Sequence, residues 1–303
     1  MKGQRTAIVL GAGASYCYQG GAAGVPTQAD IIGRTAARVC PNHRRVCEAL
    51  EPGDWILDFN WDSVMADTLL YHSHFWFPVD GFGVPVQVRL LPPVQKSLAV
   101  ESLVKLFHLH GSVVLFESTG ADSEAMYLYL GPKQYSFGTG LVAITGIDPK
   151  PGSSVTTRTP EMGQIERLMR GDVFIHGKWF SPIFIPPSKH KVAHPHPYVL
   201  RLRKQIHARL PSVQRIIVAG YSFPEVDTEH LTRLFIPDIL SGSLELQVIN
   251  RENSSDDFRA RVRRVFGELA DRADFTVDDF REYCRSLPAP IGETSDHPMS
   301  SEE

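Results

Sequence analysis

Three side chains in this sequence carry the groups that proton transfer and charge stabilisation need. Asn60 and Asp62 stand two apart in DFNWD, and His110 stands in FHLHGS. An amide can hold a hydroxyl or a water in place, and a carboxylate can balance a positive charge that develops beside it. An imidazole titrates near neutral pH and can take a proton from a hydroxyl or from water. A fourth feature is main chain: AIVLGAGASY runs four apolar residues straight into Gly11-Ala12-Gly13-Ala14-Ser15. A glycine turn after a buried strand lets backbone N–H groups come close to a phosphate. Each feature has a plainer reading. Asn60 and Asp62 also suit the cap of a helix starting there, His110 a hydrogen-bonded core position, and GAGAS a tight turn with no ligand.

Six apolar runs read as the strands that position these groups: residues 6–10, 55–59, 103–109, 182–185, 215–219 and 244–249. Most are short, continuous and rich in Val, Ile and Leu, as expected where both faces are covered. Helical patterns lie between several of them, at 27–39 behind Pro26 with Thr27 as N-cap, and at 62–70, 198–210 and 258–270. Alternating strand and helix predicts an α/β fold, a doubly wound, mostly parallel, Rossmann-like sheet with helices on both faces. Ligands in such a sheet sit beyond the carboxyl ends of the strands. GAGAS follows the first strand, Asn60-Trp61-Asp62 the second, and His110-Gly111-Ser112 the third. Gly220-Tyr221-Ser222 follows the fifth and Asn250-Arg251-Glu252 the sixth. Small and polar residues gather at one edge each time. Singly, Tyr221 and Ser222 would close an ordinary turn and Asn250 an Asx-turn. His108, two residues before His110 on the strand, is expected on the same face.

Composition narrows the classes. The 303 residues are 43% hydrophobic, enough for a sizeable core. A formal net charge of −3 argues against a generally basic nucleic-acid binder, so no direct nucleic-acid contact is expected. No apolar run approaches the roughly 18 residues of a membrane span, and glycines interrupt the N-terminal apolar stretch too early for a signal peptide. The four cysteines, Cys17, Cys40, Cys47 and Cys284, form no CxxC pair, which argues against a cysteine zinc site and fits a reducing cytoplasm. One domain is expected over 1–285, with a loop-rich insertion at about 131–180, followed by a disordered tail at 286–303 with almost nothing to bury.

In their order, these motifs resemble the sirtuin superfamily, in its divergent zinc-free branch of NAD-consuming proteins, over residues 7–252. GAGAS (Gly11, Ala12, Gly13, Ala14, Ser15) resembles the family's nucleotide turn, and GVPT, with Pro26 and Thr27, the segment after it. FNWD is similar to the Asn-x-Asp motif, which places Asn60 and Asp62 beside the nicotinamide ribose. The HG pair matches the catalytic histidine motif and nominates His110, with Gly111, over His108. AGYSF and VINRE are similar to the segments holding the adenosine half, with Gly220, Ser222 and Asn250 as contacts. There are departures. Protein-deacylating sirtuins carry a zinc module with two cysteine pairs, and this sequence has neither. They also carry aspartate, phenylalanine and arginine after the proline, where Pro26 is followed by Thr27-Gln28-Ala29. The resemblance thus implies an NAD hydrolase of the kind found in bacterial antiviral defence.

The chemistry suits this residue set. The nicotinamide nitrogen of NAD is already cationic, so the leaving ring departs neutral and the acid of an ordinary glycosidase carboxylate pair is not needed. The tasks left are to bind the pyrophosphate, hold ribose and carboxamide, and stabilise an oxocarbenium-like ribose. Backbone donors of GAGAS, Asn60, Asp62 and His110 match them in turn. NAD is expected as substrate, with no metal. A non-catalytic NAD or ADP-ribose sensor and a zinc-free deacylase or ADP-ribosyltransferase are the competing readings. A dehydrogenase would want a third glycine where Tyr16 stands. A defence NADase must be restrained, so a separate protein partner or self-assembly is expected to control activity.

Overall fold

The computed structural model describes residues 5–14, 40–89, 102–118, 125–128, 173–175, 178–185, 196–235 and 244–288. Ser15, Pro26, Thr27, Cys17, the helix expected over 27–39, residues 131–172 of the expected insertion and the tail from 289 lie outside them. In chain order the described strands are β1 (Thr6–Leu10), β2 (Trp55–Asp58), β3 (Gln87–Arg89), β4 (Lys105–His108), β5 (Gly111–Ser118), β6 (Ala125–Leu128), β7 (Val173–Ile175), β8 (Lys178–Phe184), β9 (Arg215–Ala219) and β10 (Glu245–Ile249). The described α-helices are α1 (Pro41–Ala49), α2 (Val64–His72), α3 (Pro78–Gly81), α4 (Pro197–Arg209), α5 (Glu225–Phe235), α6 (Asp256–Phe266) and α7 (Phe280–Ser286).

TAIVL, WILD, RIIVA and ELQVI carry apolar residues on both faces, and their interior positions are buried with hardly any alternation. Strands of this kind are stable only between two layers. They form a parallel sheet in the order β10-β9-β1-β2-β4. The chain steps outward from β1 through β2 to β4, then returns and steps outward the other way through β9 and β10. Right-handed crossovers place the helices of the two excursions on opposite faces. The packing agrees: α1 meets α2 and α7, while α5 meets α4 and α6. The expected doubly wound fold is present, and its strand order reverses between β1 and β9.

One expected strand belongs elsewhere. The run at 182–185 falls in the last residues of β8 and the one after it, in a second sheet ordered β3-β6-β5-β8-β7, where β8 pairs antiparallel with β5. A short apolar run shows its burial but not its partners. Pro182 sits opposite Phe116, beside a register shift in β5, where its missing N–H is tolerated. Leu109 and His110 join β4 of the first sheet to β5 of the second, so His110 stands at the seam.

Helix α2 begins at Val64 behind the N-cap Ser63, two residues later than expected. Helices α1, α3, α5 and α7 were not anticipated, although Pro41 opens α1 and Pro78 opens α3 at a position that favours proline. After α6 the chain returns along β10. Val248 N–H donates to the Asp274 carbonyl at 2.8 Å and Asp274 N–H to Leu246 at 2.9 Å. The Asn253 amide ties this segment down through the carbonyls of Val248, Phe275 and Val277. Residues 278–281 are thereby carried to the carboxyl edge of the parallel sheet. Among the described residues, no helix is long and apolar enough to cross a membrane.

Candidate active site

The turn after β1 is built against the turn after β9. Gly11 N–H donates to the Ala219 carbonyl at 3.0 Å, Gly13 N–H to the Gly220 carbonyl at 2.8 Å, and Ala14 N–H back to Gly11 at 2.9 Å. A Cβ on Gly11 would lie 2.5 Å from Tyr221 Cα, and one on Gly13 would lie 2.8 Å from the Gly220 oxygen. Gly220 reciprocates: its φ is +63°, and its Cβ would lie 2.1 Å from Ala14 N. What approaches so bare a turn is, first, another turn of the same chain. The Gly11 and Gly13 N–H donors are thus spent on Ala219 at the end of β9 and on Gly220 just after it.

Asn60 is buried beyond β2. Its N–H donates to Asp58 Oδ1 at 2.9 Å, and its side-chain amide donates to the Gly11 carbonyl at 3.3 Å. Asp58 is fully buried, and that burial, reinforced by the charge of Asp62, raises its carboxyl well above the usual range. Its other oxygen lies 3.6 Å from Nδ1 of His108, whose buried imidazole is pushed down to about 3. Both shifts favour the uncharged forms. Asp62 Oδ1 accepts from Val64 N–H at 3.0 Å, which is the helix-start role it shares with its catalytic reading.

His110 does not share the environment of His108. The strand ends at His108, so period-two alternation no longer relates the two. Nδ1 of His110 lies 3.1 Å from the Phe59 carbonyl, and Nε2 lies 3.6 Å from Asp227 Oδ1. The Phe59 ring packs edge-on to the imidazole, with centroids 5.2 Å apart. Asp227, in the first turn of α5, is buried and accepts the Tyr221 hydroxyl at 2.5 Å. Burial and the neighbouring carboxylate push the Tyr221 phenol far up, so it stays a donor. Gly111 is glycine for a packing reason: its φ is +75°, and a Cβ there would run into the Ile183 carbonyl.

A cleft of about 430 Å³ opens at the carboxyl edge, where the strand order reverses. Ala12, Gly13, Asn60, Gly220, Ser222 and Asn250 line it, all expected from the sequence. Phe59, Tyr221, Pro224, Ile249, Arg251, Glu252, Asp278, Asp279, Phe280 and Arg281 complete the wall. Gly11, Ala14, Asp62, His110 and Gly111 are not in the lining; His110 stands one side chain behind it, against Phe59. Asn250 Oδ1 accepts from Glu252 N–H at 3.0 Å, an Asx-turn, while its amide donates to the Tyr221 carbonyl at 3.0 Å. The lining residues at 278–281 carry no motif, and only the return of the chain along β10 brings them here. Among the described residues, no group of three or more His, Cys, Asp or Glu side chains is placed to hold a metal ion.

The described elements define a doubly wound α/β protein with a cleft at its switch point. Comparison with protein-family models and with characterised proteins finds no match. Solved structures do match. A complex of Sir2 with a p53 peptide and NAD+ is similar at 11% identity, over 93% of this chain and 90% of that one, with a TM-score of 0.45. A Sir2 homologue mutant with ADP-ribose matches at 11% identity over 93% and 89%, also at 0.45. Sir2 with an inhibitor, 2'-O-acetyl-ADP-ribose and a deacetylated p53 peptide matches at 11% identity over 93% and 91%, at 0.43.

Proposed function

We propose that this protein is an NAD glycohydrolase, releasing nicotinamide and ADP-ribose, of the zinc-free sirtuin-like kind that serves bacterial defence. The observation that carries the reading is the placement of Asn60. Its backbone is held by Asp58 and its amide by Gly11, and it faces a cleft it shares with the glycine turn, Ser222 and Asn250. The cleft volume falls within the roughly 300–1,000 Å³ of small-ligand sites.

In this reading the glycine turn brings main chain close to the pyrophosphate, and Asn250 and Ser222 hold the adenosine half. Asn60 holds the nicotinamide-side ribose or the attacking water in a near-attack position. His110 takes the proton of that water or of a ribose hydroxyl at Nε2, because the Phe59 carbonyl can only accept and therefore keeps a proton on Nδ1. His110 lies 3.6 Å from Asp227 and behind Phe59, and catalytic contacts commonly tighten when substrate binds. A partner protein or self-assembly controls the activity. The test is nicotinamide release from NAD by purified protein with no acylated peptide present. Release only on adding acyl-lysine peptide would make the protein a deacylase. NAD binding without turnover under every condition and partner tried would make it a sensor.

A further inference from the structure

Asp227 belongs to no motif and does not line the cleft, yet it is the buried carboxylate nearest the reactive nitrogen of His110 among the contacts described. It is 1% exposed, and its two oxygens are divided between two residues of the site. Oδ2 accepts the Tyr221 hydroxyl, and Oδ1 lies 3.6 Å from His110 Nε2. On the opposite side of the ring, the Phe59 carbonyl takes Nδ1–H. The imidazole is therefore bracketed by two acceptors on different elements, the chain after β2 and the first turn of α5.

We propose that Asp227 is the positioning residue of His110: once Nε2 takes a proton, the new N–H has Asp227 Oδ1 beside it, and the carboxylate balances the imidazolium charge and holds the ring. Tyr221 holds Asp227 in turn, because its phenol donates and does not ionise in this setting. The step is balanced: one O–H bond of water or ribose breaks, one Nε2–H bond forms, and the electron pair stays on the oxygen. The proposal rests on His110 being the base. Its geometry can also be tested apart from that reading.

The kinetic arm compares wild type, Asp227→Asn, His110→Ala and the double variant in nicotinamide release and in calorimetric NAD affinity. The amide keeps the shape and an acceptor for Tyr221 but removes the charge. Turnover in Asp227→Asn should fall by about 10²-fold, the lower end of what a general base contributes, because the imidazolium loses its counter-charge. NAD affinity should stay within about threefold, and the double variant should be no slower than His110→Ala, because residues acting as one unit are not additive. A purely structural role would instead add to the loss. The second arm needs no turnover: in protein labelled with 15N-histidine, the His110 Nε2 resonance, assigned by its absence in His110→Ala, should move in Asp227→Asn while the other histidines hold still. An unmoved resonance overturns the proposal, as does a double variant far slower than His110→Ala. If wild type hydrolyses no NAD, the glycohydrolase reading falls and the resonance alone decides the positioning role.

Discussion

The crossing of the β1 and β9 turns makes a quantitative prediction about the protein without any ligand. In Gly13→Ala the new methyl would lie 2.8 Å from the Gly220 oxygen and 2.9 Å from Gly220 Cα, closer than side-chain carbons are tolerated against backbone. Neither neighbour is a flexible tip, so the two turns must separate by several tenths of an ångström. Overpacking of this kind costs about 1–3 kcal/mol, and weakening the 2.8 Å Gly13–Gly220 hydrogen bond adds about 1 kcal/mol. The expected loss is therefore about 2–4 kcal/mol. Gly220→Ala should be worse, because its contact is tighter, at 2.1 Å, and φ is +63°. A left-handed alanine costs about 1–2 kcal/mol beyond the clash. Urea titrations of the isolated protein, with no nucleotide present, measure both. If Gly13→Ala keeps its stability within about 0.5 kcal/mol of wild type, the glycine is not required by the turn crossing and the reasoning fails.

Asn60→Ala should lower nicotinamide release by about 10²-fold, with a smaller change in NAD affinity, because ribose or water loses its position; equal losses in both would refute this. Asp67, half-buried and bonded to Ser63, has its carboxyl pushed up to about 7, chiefly by desolvation, so the folded state holds a proton that the unfolded chain has released by then. Its contribution is lost as pH rises from the ordinary carboxylate range through that value, and Asp67→Asn should keep a flatter urea midpoint between about pH 4 and pH 7 than wild type. His43, buried against Phe280 and pushed down to about 4, has the opposite sign. Its folded state refuses a proton that the unfolded chain accepts below about pH 6.5, so His43→Leu should lose less stability than wild type on acidification toward about pH 4.

The parallel sheet was legible because strands buried on both faces leave continuous apolar runs such as AIVL and RIIVA, and the edge motifs follow them directly. The second sheet was not, since AMYL and VFI are too short to carry a period and owe their pairing to distant partners. The run at 182–185 was visible as a strand yet assigned to the wrong sheet for the same reason. GAGAS was recognised, but its partner was not: nothing local ties Gly13 to Gly220. Asp227 was invisible because an acidic residue in the first turn of a helix already has an ordinary explanation, the helix dipole. Its meaning appears only once the β4–β5 seam brings His110 beside it.

The central position of β1 also sets the order of events during synthesis. Thr6 pairs with Arg215 and Leu10 with Ala219, so one hydrogen-bonding edge of the apolar strand AIVL stays open until β9 leaves the ribosome. With elongation at about 5–20 residues per second, that wait is roughly 10–40 s. Pairing with β2 covers the other edge much sooner, and a half-open sheet edge is a template for joining another chain. Nascent copies crowded on one message are therefore most prone to aggregate in this interval. Slower translation ahead of β9 should lower soluble yield, and a holdase chaperone acting on the growing chain should restore it.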